Sequence, residues 1–225
     1  MTLPALVGSG ISALEANASS SVALYPGGAL SAFVYRGGSG SVCSVPVKRL
    51  MVASVLGGCC GAALLLWTPT RLFDRVLPWL LLVATIVLAL GPRLVRLPDL
   101  GFQHGRHSVV VIQFLLGIYA GYFGGAVGLL MVAVWRVLGE HDIRSLNGPR
   151  TLLVTASNTA ANTLLVAAGV VRWTACIPVC AGALAGGYIG ARVGKRLSPQ
   201  VAYVIAVVIS ISITVAFFIR AHRIG

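Results

Sequence analysis

The sequence predicts an all-α, polytopic membrane protein with about seven full transmembrane helices, a partial helix at the N-terminus and two related halves. Three observations predict this class: the composition, the spacing of the charges and an internal repeat. Of the 225 residues, 57% are hydrophobic and 10% are charged, whereas soluble domains carry about 25% charged residues. A chain with so few charged residues lacks the polar side chains that cover a soluble domain.

The charges delimit the predicted spans, because a helix needs about 17 to 25 residues without a charge to cross the bilayer core. Seven windows meet this requirement, namely residues 16–35, 50–70, 76–92, 108–135, 151–171, 173–191 and 197–219. All 17 Lys and Arg residues lie between or beside these windows. An isolated apolar run indicates a buried helix or a signal peptide, but seven in series predict seven spans.

The net charge of +12 does not indicate nucleic-acid binding, because the basic residues are not gathered on one face. They lie at the span ends, where they meet water and anionic headgroups, so the expected partner is the lipid bilayer. If every window crosses and the partial helix is counted, the Lys and Arg residues divide eight to nine between the two faces. The positive-inside rule then predicts no orientation.

The sequence contains no pattern that predicts catalysis or a cofactor. The five cysteines match no zinc spacing with histidine, and the four histidines lie outside the windows. An enzyme within the membrane needs a nucleophile with a base, or a metal site, at membrane depth. We therefore expect no catalytic residue, no metal and no cofactor, and an intramembrane enzyme is the less favoured alternative.

A segment of the chain recurs 129 positions later. Residues 56–62, LGGCCGA, correspond to residues 185–191, AGGYIGA, and at the same offset residues 29–34 fall on residues 158–163. This agreement predicts a duplication, with one half at residues 1–100 and the other at residues 101–225. Many transporters hold their substrate between two such halves. The glycines themselves are expected to pack helices, because small residues let backbones approach.

The same offset places the counterpart of residues 117–129 before Met1. Residues 1–14 carry no charge, but they are too few to cross a membrane. We therefore expect the first half to lack the start of its first helix. Either the gene begins further upstream, or this copy is genuinely shortened.

The fourth window contains the segment GIYAGYFGGAVG, residues 117–128, with five glycines in twelve residues. Each interior glycine costs a helix about 1 kcal/mol relative to alanine, so we predict a broken helix here. The free N–H groups at such a break bind anions. An unbroken, closely packed helix is the alternative. The candidate substrate-binding positions in this segment are Gly121, Gly124, Gly125 and Gly128.

The fifth window carries a polar face. Thr155, Asn158, Thr159 and Asn162 follow the spacing i, i+3, i+4 and i+7 of one helix face. An unpaired amide in hydrocarbon costs several kcal/mol, so this face must meet a cavity or another helix. We expect Asn158 to share a cavity with the glycine-rich segment, and interhelical hydrogen bonding without a ligand is the alternative. The candidate substrate-binding residues in this region are Asn147, Arg150, Asn158 and Asn162.

All five acidic residues lie at the edges of the windows or between them. Proton pumps and metal-cation carriers usually need carboxylates within the membrane. Neutral amides, hydroxyls, backbone N–H groups and the nearby Arg150 suit an anion better. The expected ligand is therefore a small anionic solute.

The order of motifs in the second half resembles the sulfite exporter TauE/SafE family. The motifs are residues 117–139, DIRSLN at 142–147, Asn158, GVVRW at 169–173 and GGYIGAR at 186–192. The resemblance covers residues 108–220, and the first half shares it chiefly at residues 57–62. It implies a permease of about eight spans in the bacterial inner (plasma) membrane that moves sulfite, a sulfonate or an organic acid. It also implies substrate contacts at residues 121–128, Asn147 and Asn158. A non-transporting remnant or an assembly subunit is the alternative, and the residues predict no oligomeric state.

Overall fold

The computed structural model describes residues 2–35, 40–94, 105–140, 146–194 and 199–224. The junction of the two expected halves, positions 142–145 of the family motif, His104 and His141 lie outside these residues. Within the described part, the chain forms nine helices and one β-hairpin: α1 (Thr2–Gly8), α2 (Ala13–Tyr35), β1 (Ser41–Val42), β2 (Val45–Pro46), α3 (Val47–Trp67), α4 (Thr70–Leu94), α5 (Arg106–Tyr122), α6 (Val127–Val137), α7 (Asn147–Ala167), α8 (Trp173–Gly194) and α9 (Pro199–Ile224).

The helical architecture confirms the predicted all-α class. Six of the seven windows each coincide with one helix, namely α2, α3, α4, α7, α8 and α9. Three stretches of the described helices are long and apolar enough to cross a membrane by length and composition: all of α3, Thr70–Gly91 of α4 and Tyr203–Arg220 of α9. Large apolar side chains such as Leu56, Trp79 and Val208 are exposed on these helices, as expected for a surface that meets lipid.

The fourth window is not one continuous helix, which corrects the expectation of a single span there. Helix α5 ends at Tyr122 and α6 begins at Val127. Trp135 Nε1 donates to Gln113 Oε1 over 3.2 Å, although the residues are 22 positions apart. In a straight helix they would lie about 33 Å apart, so α6 runs back along α5. The predicted break is confirmed, and it reverses the chain into a helical hairpin, the α5–α6 hairpin.

Glycines hold α5 against α3. A Cβ atom added to Gly57 would lie 2.9 Å from Gly117 Cα, closer than real Cβ contacts come. On the other side of α3, a Cβ atom on Gly58 would lie 3.0 Å from Ser157 Cα of α7. The packing role predicted for the Gly-Gly motif of the first half is therefore confirmed, because only glycine allows these backbones to approach so closely.

The α5–α6 hairpin returns to the end of the molecule from which it starts. Gln113 Nε2 donates to Ser54 Oγ over 2.8 Å, and Gly61 lies beside Tyr122, so α3 and α5 run parallel. The backbone N–H of Cys43, in the turn before α3, donates over 2.8 Å to a carboxylate oxygen of Glu140, just after α6. The start of α3, the start of α5 and the end of α6 therefore lie at one end of the bundle.

The same helix C-terminal cap recurs at the offset of 129 positions. Gly10 after α1 and Gly139 after α6 both have positive φ, 88° and 91°. In both places the glycine N–H donates to the carbonyl three residues earlier, and the next N–H donates to the carbonyl five residues earlier. This is the Schellman pattern of helix ends. Two helices with the same C-terminal cap at the same offset support the predicted duplication.

Counterpart helices of the two halves lie antiparallel. On α2 and α7, Ser21 bonds to Asn162 and Tyr25 bonds to Thr159, so the numbers rise on one helix as they fall on the other. On α4 and α9, the ring of Trp79 meets that of Phe218, while Tyr203 donates to the carbonyl of Ala89. The two predicted halves therefore interlock in opposite directions.

Candidate functional site

A cavity of about 500 Å³ lies between α1, α2, α4, α7 and α9, with the turn of the α5–α6 hairpin in its wall. Both predicted halves contribute to it. Its polar lining comes mainly from Asn17, Ser20, Ser21, Tyr25, Thr155 and Asn158. None of the described lining residues is Asp, Glu, Lys, Arg or His. A solute in this cavity therefore meets neutral hydrogen-bonding groups.

Residues 123–126, the hairpin tip, line the cavity with backbone groups. Gly124 and Ala126 have φ values of 74° and 56°, which turn the chain between the two helices. Helix α6 begins directly after the tip, so its first N–H groups have no acceptor within the helix. Among the described residues, the N–H groups of residues 125–128 donate to no partner. The positive end of the α6 dipole thus lies at the cavity wall.

Two side chains fasten the hairpin tip. Because the chain reverses, the carbonyl of Tyr122 lacks the backbone N–H donor that it would have in a longer helix. Asn17 Nδ2 of α2 donates to this carbonyl instead, over 3.1 Å. Tyr119 Oη donates to the carbonyl of Gly125 over 2.9 Å. Asn17 is buried and also lines the cavity. The first half of the chain therefore positions the tip that the second half provides.

Most of the polar face of α7 is occupied by α2. Ser21 Oγ donates to Asn162 Oδ1 over 2.8 Å. One turn further, Tyr25 Oη and Thr159 Oγ1 lie 2.8 Å apart, and Thr155 Oγ1 donates to the carbonyl of Gly28 over 3.2 Å. At these three positions the alternative of interhelical hydrogen bonding is what the structure shows.

Asn158 is the exception on this face. Its Oδ1 atom is buried and has no hydrogen-bond partner among the described residues. The residue lines the same cavity as Gly124 and Gly125, so the expected approach of Asn158 to the glycine-rich segment is observed. Buried polar groups almost always have hydrogen-bond partners, so a buried amide oxygen without one is unusual.

The structure brings three of the eight candidate residues to this cavity: Gly124, Gly125 and Asn158. The other five lie elsewhere. Gly121 packs against the backbone of Gly58, and a Cβ atom added to Gly128 would lie 3.4 Å from Arg150 Cδ. Asn147 is exposed at the start of α7, where its carbonyl accepts from Thr151. Asn162 binds Ser21, as described above.

Sequence reasoning missed the polar residues that α1 and α2 contribute. Asn17, Ser20, Ser21 and Tyr25 occupy successive turns of α2, and Thr2 of α1 hydrogen-bonds to Ser20. The available signal was an asparagine and three serines at the start of an otherwise apolar window. Serine is also common where membrane helices pack together. These residues therefore predicted a helix contact as well as they predicted a cavity wall.

Outside the helices, the thiol of Cys43 lies in the β-turn between β1 and β2. Burial, with a further contribution from the negative charge of Glu140, raises the pKa of Cys43 to about 12. The thiol therefore stays protonated at neutral pH. A protonated, half-buried thiol is a poor nucleophile and a poor metal ligand, and it plays no part in the chemistry of the cavity.

Comparison with known proteins identifies relatives of this chain. The profile of a family described as "Sulfite exporter TauE/SafE" matches residues 1–217. The chain is 26% identical over 180 residues to the "Probable membrane transporter protein YfcA" of Escherichia coli K12, and equally similar to the proteins of that name in strains O6:H1 and O157:H7. The match covers 77% of this chain and 64% of each relative, so the chain spans less than two thirds of their length. No solved structure gives a significant match.

Proposed function

The chain belongs to the sulfite exporter TauE/SafE family, and on this premise we propose that it is a secondary permease for a small anion in the bacterial cytoplasmic membrane. The anion is sulfite, a sulfonate or a small organic acid. The observation that carries the proposal is the cavity lined by residues of both predicted halves, with the hairpin tip and Asn158 in its wall.

The chemistry of this cavity suits an anion. Backbone N–H groups at the start of a helix donate hydrogen bonds and add the favourable end of the helix dipole. The N–H groups of residues 125–128 have no described partner. Asn158 lines the same cavity, and the Nδ2 group of its amide can donate to an anion. In transporters with discontinuous helices, helix ends of this kind bind the charged group of the substrate.

The described lining of the cavity contains no charged side chain, which favours reversible binding of a transported anion over tight retention. A lysine or arginine at the site would hold an anion strongly in a medium of low dielectric constant. Conduction requires binding that is favourable enough for entry and weak enough for release. Neutral donors provide that balance, and they need no change of protonation during the cycle.

In place of seven crossings, we propose six, formed by α2, α3, α4, α7, α8 and α9, together with a re-entrant α5–α6 hairpin. This topology changes the charge count, because the segments after the hairpin move to the other face. Twelve of the 17 Lys and Arg residues then belong to one face: Arg36, Lys48, Arg49, Arg93, Arg96, Arg106, Arg136, Arg144, Arg150, Arg192, Lys195 and Arg196. By the positive-inside rule, this face is cytoplasmic.

Flux through purified protein in lipid vesicles tests the proposed function. We expect the uptake of sulfite, sulfoacetate or sulfolactate to exceed that of empty vesicles. A full-length family member serves as the positive control. If the relative transports these anions and this chain, although folded and inserted, transports none of them, the chain is a non-transporting remnant or an assembly subunit.

A further inference from the structure

Two threonines meet where α4 packs against α9, and one of them, Thr85, also lines the cavity. Thr85 Oγ1 and Thr214 Oγ1 lie 2.8 Å apart, and both side chains are buried. The residues are 129 positions apart, so each is the counterpart of the other in the repeat. Each hydroxyl oxygen also lies near a carbonyl oxygen of the opposite helix, Thr85 near that of Ser210 at 3.4 Å and Thr214 near that of Leu81 at 3.5 Å. Within its own helix, Thr214 Oγ1 lies 2.9 Å from the carbonyl oxygen of Ser210.

The contacts between the two helices are reciprocal. Leu81 and Ser210 are themselves counterparts at the same offset, so exchanging the two halves turns one of the weaker contacts into the other. Such reciprocity is the property of a contact that lies on a two-fold axis. Because α4 and α9 run antiparallel, this axis crosses the helices. Inverted repeats of transporters are related by an axis of this kind in the membrane plane.

We propose that the Thr85–Thr214 contact is the pivot of the transport cycle, kept intact while the cavity opens first to one face of the membrane and then to the other. This inference rests on the proposed function. In a protein built from inverted halves, the two opposite-facing states arise when the halves exchange their conformations. A contact on the axis maps onto itself in that exchange, so both states contain it.

Contacts away from the axis behave differently. Ser21 Oγ donates to Asn162 Oδ1 between α2 and α7. The counterparts of these two residues are Arg150 and Phe33, and a phenylalanine ring offers no amide oxygen as acceptor. Exchange of the halves does not reproduce this hydrogen bond. The α2–α7 contact is therefore expected to rearrange in the cycle while the α4–α9 contact stays.

Paired cysteines distinguish a pivot from a contact that must separate. In a chain whose five native cysteines are replaced by alanine, one variant carries Thr85→Cys with Thr214→Cys, and the control carries Ser21→Cys with Asn162→Cys. Sulfoacetate flux is measured before and after oxidation, because sulfite itself would cleave the disulfide. We expect the linked 85–214 pair to keep the rate of its own reduced form, and the linked 21–162 pair to lose transport. Loss of flux on linking 85 to 214 overturns the pivot, while flux in the reduced form upholds the proposed function.

A distance measurement decides the same question without flux. Ile86 and Val215 are exposed counterparts next to the two threonines, so nitroxide labels at these sites leave the cavity untouched. We expect one unchanged distance distribution with and without sulfoacetate. A second population, or a shift on adding sulfoacetate, overturns the pivot. A lack of flux in the unmodified protein would instead count against the proposed function alone.

Discussion

Asn158 and Asn162 lie one turn apart on α7 and carry the same side chain, yet the structure uses them differently. Asn162 is 6% exposed, and its amide bonds to the hydroxyl and the carbonyl of Ser21. Asn158 Oδ1 is buried without a described partner, at a cost of about 1–3 kcal/mol. Natural sequences keep such a cost mainly at functional sites. One amide therefore joins two helices, and the other belongs to the residue that we propose contacts the solute.

Replacing each amide by leucine separates these roles. We expect Asn158→Leu to abolish anion flux without impairing insertion or lowering thermal stability, because no hydrogen bond to a described residue is lost and an unpartnered buried oxygen is removed. Asn162→Leu should lower the free energy of unfolding by about 1–3 kcal/mol, because the polar groups of Ser21 lose their partner. Flux in vesicles and thermal unfolding in detergent measure the two effects. A loss of stability in Asn158→Leu as large as that in Asn162→Leu would contradict the site assignment.

The sequence predicted some of the polar residues around the cavity and missed others. The polar face of α7 was predictable, because amides within an apolar window must find polar surroundings. Which amide finds a protein partner was not, because Ser21 lies 141 positions away. Asn17 was missed because its acceptor, the carbonyl of Tyr122, is released only by the reversal of the chain. Asn147 and Arg150 precede the polar face in sequence, but helix geometry carries them away from the cavity.

The position of the hairpin tip depends on the contact between helices α3 and α5. A Cβ atom on Gly61 would lie 2.8 Å from Tyr122 N, at the end of α5. Because the obstacle is backbone, it cannot move aside as a side chain can, and overpacking of this kind costs about 1–3 kcal/mol. The glycine is therefore required by the close approach of two helices.

Gly61→Ala should lower the thermal unfolding temperature and weaken anion binding, because separating α3 from α5 displaces the tip. Gly182→Ala on α8 is the matched control. It has no atom within 4 Å of an added Cβ, and alanine favours a helix by about 1 kcal/mol over glycine. The control is expected to be neutral or slightly stabilising. Equal behaviour of the two variants would show that the α3–α5 contact tolerates a methyl group.

The sequence predicted the helix break, but it did not predict that α6 folds back along α5. Five glycines in residues 117–128 weaken a helix wherever they stand. The reversal depends on contacts between distant positions, in which Gln113 bonds to Trp135 and also to Met131. Since all of these residues are compatible with one long apolar span, the charge-free window was counted as a single crossing.

The count of crossings decides whether the sequence predicts an orientation for the whole molecule. If residues 108–135 cross the membrane, the Lys and Arg residues balance between the two faces. If the α5–α6 hairpin returns to the face it left, the count becomes twelve against five. The sequence predicts the duplication, because similar residues recur at one offset. It does not predict an inversion of the halves, because the antiparallel contacts of the counterpart helices are visible only in the structure.

Inversion and orientation are tested together by two counterpart residues. Arg71 at the start of α4 and Gln200 at the start of α9 are both exposed and lie 129 positions apart. Antiparallel helices begin at opposite faces, and Gln200 follows the basic segment assigned to the cytoplasm. In a cysteine-free chain in intact cells, we expect Arg71→Cys to react with a membrane-impermeant maleimide and Gln200→Cys to react only after permeabilisation. Equal labelling of both sites would rule out inverted halves. Labelling of Gln200→Cys alone would keep the inversion and reverse the orientation inferred from the charges.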